Sequence, residues 1–283
     1  MENSILSLIR ASYNALSQSQ KRVADFVLRH PDRVMISSMN DLAGACGVSE
    51  PTIMRFLRKL HYNSYQVFRV NIAQELGTGS GKNVYYDEIR KTDSVEVMKD
   101  KLLAVTAQSL LDSARVVDAA ALERIARLAE RAPHILVIGM GSSCAQALDL
   151  VHKLQRLGLN AAHSNDSHMI NILATNLRED DLLFAFSHSG ESREILDGAL
   201  LAGENGAHVA AVTSYPNSSL VSLCEEVLLS SSHETSYRSD AMTSRIIQMA
   251  IIDMIYICIA MHLGDEAEEN INRTRMAVAR NKT

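Results

Sequence analysis

Three hydroxyls crowd into six residues at Ser187-His188-Ser189-Gly190-Glu191-Ser192, where Ser187, Ser189 and Ser192 surround a glycine that permits tight curvature. Neutral donors of this kind, joined by backbone amides and the positive end of a following helix, suit a phosphate. A second turn, Gly139-Met140-Gly141-Ser142-Ser143, lets backbone amides approach an anion and adds the hydroxyls of Ser142 and Ser143. It lacks the third glycine of a dinucleotide fingerprint, and no acidic residue stands at the end of the next strand-like run, so NAD is disfavoured. Either loop alone is compatible with plain serine-rich caps. Together, at strand ends, they define one crevice of an open α/β sheet.

His163-x-x-Asp166-x-His168 offers two imidazoles and a carboxylate, all suitable metal ligands. No further ligand cluster accompanies them, and a hydrogen-bonding wall or a helix cap accounts for the same residues, so no metal and no cofactor is expected. Four cysteines (Cys46, Cys144, Cys224, Cys258) lie far apart, in apolar contexts and without metal-like or redox-pair spacing, and read as reduced core residues. Arg245 either neutralises an anion or pairs with Asp240 or Glu234.

A different chemistry is written between Asn40 and Leu60. Ala43, Gly47 and Ile53 are spaced four and then six residues apart. Ala43 is small where two helices cross, Gly47 permits the positive φ of a tight turn, and Ile53 packs the second helix on the first. Ser49 is placed to cap that helix, with Pro51 in its first turn, where a missing N–H costs little. The second helix then projects Glu50, Thr52, Arg55, Arg58 and Lys59 outward while Ile53, Phe56, Leu57 and Leu60 face in. This is the pattern of a recognition helix, with base-reading and phosphate-binding side chains. Solvated charges on a small protein-binding helical domain are the blander account.

The elements that must position these residues follow from periodicity. Before residue 78 every segment is helical: Ser17-Gln18-Ser19-Gln20 reads as a capping box opening a helix with Val23, Phe26 and Val27 on one face. Gly77-Thr78-Gly79-Ser80-Gly81-Lys82 has the composition of a linker. Asp93-Ser94-Val95-Glu96 caps a helix to about Ala114, and Leu122, Ile125, Ala126 and Ala129 stripe another. Strand-like runs at 134–138, 182–186, 208–213 and 226–229, with a weaker one at 160–163, then alternate with helices. Such alternation implies a parallel sheet covered on both faces.

Composition sets the bounds. At 283 residues, 47% hydrophobic and 22% charged, the chain has material for two globular cores and no bias toward disorder. Its net charge of −5 is uneven: nine Lys and Arg against six Asp and Glu before residue 78 give +3, leaving −8 for the remainder. That asymmetry places any contact with nucleic-acid phosphates in the first part. The apolar stretch 246–261 is interrupted by Gln248 and Asp253 and falls short of the roughly 20 residues of a membrane span, so it reads as a buried helix. The first residues carry no export signal, which points to the cytoplasm.

Ser187-x-Ser189-Gly190-x-Ser192, preceded by Gly139-x-Gly141-Ser142-Ser143, resembles the SIS (sugar isomerase) domain. With the helix-turn-helix before it, essentially the whole chain resembles the RpiR family of bacterial transcriptional regulators. The resemblance implies an all-α helix-turn-helix domain at 1–77, a linker at 78–92, and at 93–283 an α-β-α domain whose five-stranded parallel sheet binds a phosphosugar. It makes Ser142 or Ser143, together with Ser187, Ser189 and Ser192, phosphate ligands. Asp166-Ser167-His168 resembles the stretch that faces the sugar, and Glu234-Thr235 resembles a recurrent family feature. The implied partners are duplex DNA with a palindromic operator, a phosphosugar effector and a second or further copies of the chain, as homodimer or homotetramer.

The expected function is a DNA-binding regulator, a repressor of a carbohydrate catabolic operon, switched by a sugar phosphate of the N-acetylated amino-sugar 6-phosphate type. The alternative is a sugar-phosphate isomerase on the same fold, with Glu194, Glu234, His163 or His168 as its base. An isomerase has no use for Ala43, Gly47, Ile53 and a basic recognition helix, so no catalytic residue is assigned.

Overall fold

The computed structural model describes residues 5–77, 89, 92–231 and 242–280. The linker expected after Gly77, and Glu234-Thr235, fall outside them. Two compact units emerge. The first is helical and extends to Val116, joined by Ser231; the second comprises Val117–Ser230 and the C-terminal helices.

The first unit contains α1 (Ile5–Ser12), α2 (Gln18–Arg29), α3 (Pro31–Ile36), α4 (Met39–Cys46), α5 (Glu50–Lys59), α6 (Tyr65–Gly77) and α7 (Val95–Ser113). Ser17 does open α2 with a capping box closed by Gln20. A second box, Ser38 with Asp41, opens α4, and the Ser38 hydroxyl and amide hold the Asp41 carboxyl below its ordinary pKa. Val23, Val27, Leu42, Ile53, Phe56, Leu57 and Phe68 form one core, sealed by edge contacts among Phe56, Tyr62 and Phe68. The long helix α7, expected with the second domain, packs here: Arg10 of α1 pairs with Asp112 at 2.7 Å, and Ser113 brackets the Ser231 backbone.

The second unit contains α8 (Ala119–Arg131), β1 (Ile135–Gly139), α9 (Cys144–Arg156), β2 (Ala161–Ser164), α10 (Ser167–Asn176), β3 (Leu182–Phe186), α11 (Arg193–Glu204), β4 (His208–Thr213), β5 (Glu226–Leu229), α12 (Met242–Leu263) and α13 (Asp265–Ala279). All five strands are parallel, in the order β2-β1-β3-β4-β5. Alternate strand residues feed two cores. Ile135, Val137, Phe184, Phe186 and Val212 pack under α8, α9 and α12, while Leu136, Ile138, Leu183, Ala185 and Val209 pack under α10 and α11. Burial on both faces is why these strands are continuous apolar runs.

One expectation about length is corrected. The apolar stretch of α12 belongs to a helix of 22 residues, long and apolar enough to cross a membrane by length and composition. Its packing decides its role. Ile247, Ile251, Ile252, Ile255 and Ile259 are buried against the sheet, as a core helix requires, although Ile257 and Met261 on the opposite face are 53% and 76% exposed.

Candidate functional site

A sheet of order 2-1-3-4-5 reverses direction between β1 and β3, and ligands of such sheets bind beyond the strand C-termini at that point. Gly139 pairs in register with Phe186, so the two loops singled out from sequence leave adjacent strands side by side. From β1 comes the 3-10 turn Gly141–Ser143 leading into α9, with Ser142 exposed and Ser143 buried. From β3 comes 187–192, leading into α11.

The second loop is folded on its own hydroxyls. Ser187 Oγ accepts from the Gly190 amide at 3.1 Å and lies 3.4 Å from Ser192 Oγ, and Ser189 Oγ accepts from the Glu191 amide at 3.2 Å. Ser143 and Ser192 occupy the N-cap positions of α9 and α11, yet neither side chain caps an amide. The N-terminus of α11 and the 3-10 turn that runs into α9 therefore both lie at this crevice without a side-chain cap, an arrangement that attracts an anion.

The loop after β4 completes this wall, and sequence reasoning missed it. Glu191 accepts from the amide and the hydroxyl of Ser219, both at 2.8 Å, and the amide, then the hydroxyl, hold its carboxyl below the ordinary range. Gly190 has φ +67° and would collide with Ser218 if it carried a Cβ. Ser218 Oγ is buried and finds no partner among the described residues. The turn-forming run Ser214-Tyr215-Pro216-Asn217-Ser218-Ser219 was the available signal.

Beneath the crevice runs a buried polar chain. His188 Nδ1 meets Ser214 Oγ at 2.8 Å, Ser214 meets Ser230 at 2.7 Å, Gln248 of α12 donates to Ser230 at 3.5 Å, and Gln146 of α9 donates to Gln248 at 3.0 Å. It links the serine loop to α12 and back to the helix that follows Ser143.

The residues expected to face the sugar are at the β2 edge. Asp166 is the exposed N-cap of α10, its Oδ1 accepting from the Met169 amide at 2.9 Å, and His168 is exposed in the next turn. His163 does not join them: Nδ1 donates to the Val137 carbonyl at 3.1 Å, turning Nε2 toward Cys144 Sγ at 3.5 Å. Among the described residues, the group with metal-ligand proximity lies elsewhere, at Glu123, Cys258 and His262.

On α5 the turn is as expected: Gly47 sits at φ +61° and closes α4, with Ala43 and Ile53 buried beneath it. Two details differ. Thr52, expected outward, is buried, and Ser49 stands at the N-cap without capping an amide; its hydroxyl contacts Thr52 Oγ1 at 3.1 Å instead. Thr52 in turn accepts from Arg55 at 2.9 Å, so Ser49, Thr52 and Arg55 form a ladder along the helix. Arg55, Arg58 and Lys59 are exposed and Glu50 is half-buried, with Lys59 also reaching the Ala15 carbonyl.

Comparison with known proteins agrees with both halves. Residues 3–79 match the helix-turn-helix domain of the rpiR family, and residues 128–258 match the SIS domain. An uncharacterized HTH-type transcriptional regulator of Thermotoga maritima is 34% identical over 276 residues, 97% of this chain and 98% of that protein. The chain belongs to the RpiR family of transcriptional regulators. The HTH-type transcriptional regulator HexR of Escherichia coli is 30% identical over 281 residues, covering 97% of this chain and 94% of HexR. Among solved structures, the Vibrio vulnificus NanR protein complexed with ManNAc-6P aligns with TM-score 0.62 and 26% identity over 98% of each chain. The Thermotoga maritima and Escherichia coli relatives are named as transcriptional regulators, and the chain is a helix-turn-helix regulator with a SIS domain.

Proposed function

We propose that this RpiR-family regulator is a repressor of a carbohydrate catabolic operon, released or engaged by an N-acetylated amino-sugar 6-phosphate. The observation that carries the reading is the convergence, at the β1/β3 switch point, of the uncapped α11 N-terminus, the uncapped 3-10 turn into α9 and the hydroxyls of Ser187, Ser189 and Ser192. Ser142 and Ser143 extend the phosphate cradle, and Asp166 and His168 stand where a sugar ring would continue from it. The likeness to NanR with its ManNAc-6P supports the amino-sugar class.

In this reading residues 1–77 hold the DNA, 78–92 connect, and within 93–283 the unit from Val117 onward binds the effector while α7 packs with the helical unit. Ser49, Glu50, Thr52, Arg55, Arg58 and Lys59 form the DNA-facing set, with Thr52 orienting Arg55 rather than touching a base. The effector acts by differential affinity: it favours one arrangement of paired recognition helices, and operator affinity changes by linkage. A homodimer or homotetramer in the cytoplasm then reads half-sites about one helical turn, roughly 34 Å, or a multiple apart.

A thermal-shift panel tests this, because a ligand bound only by the native state raises its stability. N-acetylmannosamine 6-phosphate and N-acetylglucosamine 6-phosphate should raise the Tm well beyond inorganic phosphate or the unphosphorylated sugars. A response to pentose phosphates alone, or to none of the panel, overturns the effector assignment.

A further inference from the structure

We propose that Glu123, Cys258 and His262 form a site for one zinc-class divalent transition metal, joining α8 to α12 and independent of the sugar crevice. Cys258 and His262 are four residues apart on α12 and so share a helix face. Glu123 of α8 meets both: its Oε2 is 3.7 Å from Cys258 Sγ, and its Oε1 is 3.1 Å from His262 Nε2. One donor atom from each residue falls within 4.8 Å of the others. A tetrahedral zinc ion with legs of about 2.0–2.3 Å needs donor-to-donor edges of about 3.3–3.8 Å; the two Glu123 pairs stand at 3.7 and 3.1 Å on its two oxygens, and a small contraction within the 4.8 Å span would bring one oxygen, the sulfur and the imidazole onto a single ion.

The surroundings would also support a bound metal. His262 Nδ1 lies 3.3 Å from Glu130 Oε2, the carboxylate–histidine contact that orients a metal-bound imidazole. Carboxylates can only accept, so both ring nitrogens face acceptors. With a metal bound, Nε2 would offer its lone pair to the ion while Nδ1–H faced Glu130. Arg127 NH2 donates to Glu123 Oε1 at 2.9 Å, fixing the carboxylate with Oε2 turned to the thiol. A sulfur, an imidazole and a carboxylate select zinc or cobalt(II) over magnesium and calcium, which take oxygen ligands. Three protein ligands leave a fourth position for water.

Cobalt(II) titration of the full-length protein is the test. One cobalt per chain should bind, with the visible bands of tetrahedral coordination and a near-ultraviolet thiolate charge-transfer band, and zinc should displace it. Cys258→Ser should abolish the charge-transfer band. Glu130→Gln should keep the band while weakening affinity about 10- to 100-fold, the usual cost of losing a carboxylate behind a histidine ligand. Cys144→Ser, which removes the other cysteine beside a histidine, should change nothing. The proposal fails if no thiolate band forms, if the band survives Cys258→Ser, or if it follows Cys144. Circular dichroism of Cys258→Ser in the absence of metal must match the parent, and an intact fold without the band identifies Cys258 as the ligand.

Discussion

A Cβ added to Gly190 would lie 2.1 Å from Ser218 Oγ, on a backbone already at φ +67°. The serine loop and the loop after β4 therefore share an approach that only glycine allows. Gly190→Ala pays a left-handed backbone cost of about 1–2 kcal/mol and must displace a buried serine as well. It should lower effector affinity by tenfold or more, since about 1.4 kcal/mol is tenfold. Titration calorimetry with the best sugar phosphate checks this, and an unchanged Kd would place the anion away from this loop.

Ser187 is buried and holds the Gly190 amide while facing Ser192. Removing its hydroxyl takes away one contact to a charged ligand and the acceptor that shapes the loop. A hydrogen bond to a charged group is worth about 1.5–3 kcal/mol, so Ser187→Ala should weaken effector binding about 10- to 150-fold. Operator affinity without effector should stay within about twofold of the parent, measured by fluorescence anisotropy. Equal damage to both activities would mean that the two halves do not divide the labour.

Much of this was legible in the sequence because the signals were local. Gly47, Ala43 and Ile53 each answer to a turn or a crossing within a few residues, and the strands showed as apolar runs because both their faces are covered. What stayed hidden depends on pairs distant in the chain. Glu191 with Ser219, and Glu123 with Cys258 and His262, are brought together only by the sheet order and helix packing. Thr52 was misjudged for a subtler reason: it lies at the edge of the buried stripe of α5, where a small side chain is covered by its own neighbours Ser49 and Arg55.

Arg55 is exposed and held by Thr52 at 2.9 Å, a geometry that aims its guanidinium before DNA arrives. Arg55→Ala should cost about 1–3 kcal/mol of operator affinity and leave effector affinity unchanged. If the contact is to a phosphate, the slope of log K against log salt should also fall by about one unit; if it is to a base, specificity at one position should relax at constant slope. Thr52→Val, which removes the aiming hydroxyl with little change of volume, should reproduce part of the loss. Full affinity in both variants would remove α5 as the reading helix.

Asp112 is 1% exposed and accepts from Arg10 Nε at 2.7 Å and from Gln108 Nε2 at 2.9 Å, while Arg10 also reaches Ser7 at 2.8 Å. This pair fastens α7 to the first helix of the helical unit. Asp112→Ala removes the buried carboxylate that Arg10 donates to and should destabilise that unit by about 3–5 kcal/mol. Replacing both partners with apolar residues of similar size, Arg10→Met with Asp112→Leu, should recover most of the loss, because the desolvation cost of both charges disappears with them. Urea unfolding of the full-length chain, followed for the transition of the helical unit, distinguishes the two. A single-variant cost below about 1 kcal/mol is what a solvent-screened surface bridge would give. It would mean that packing of α7, rather than this pair, holds it against α1.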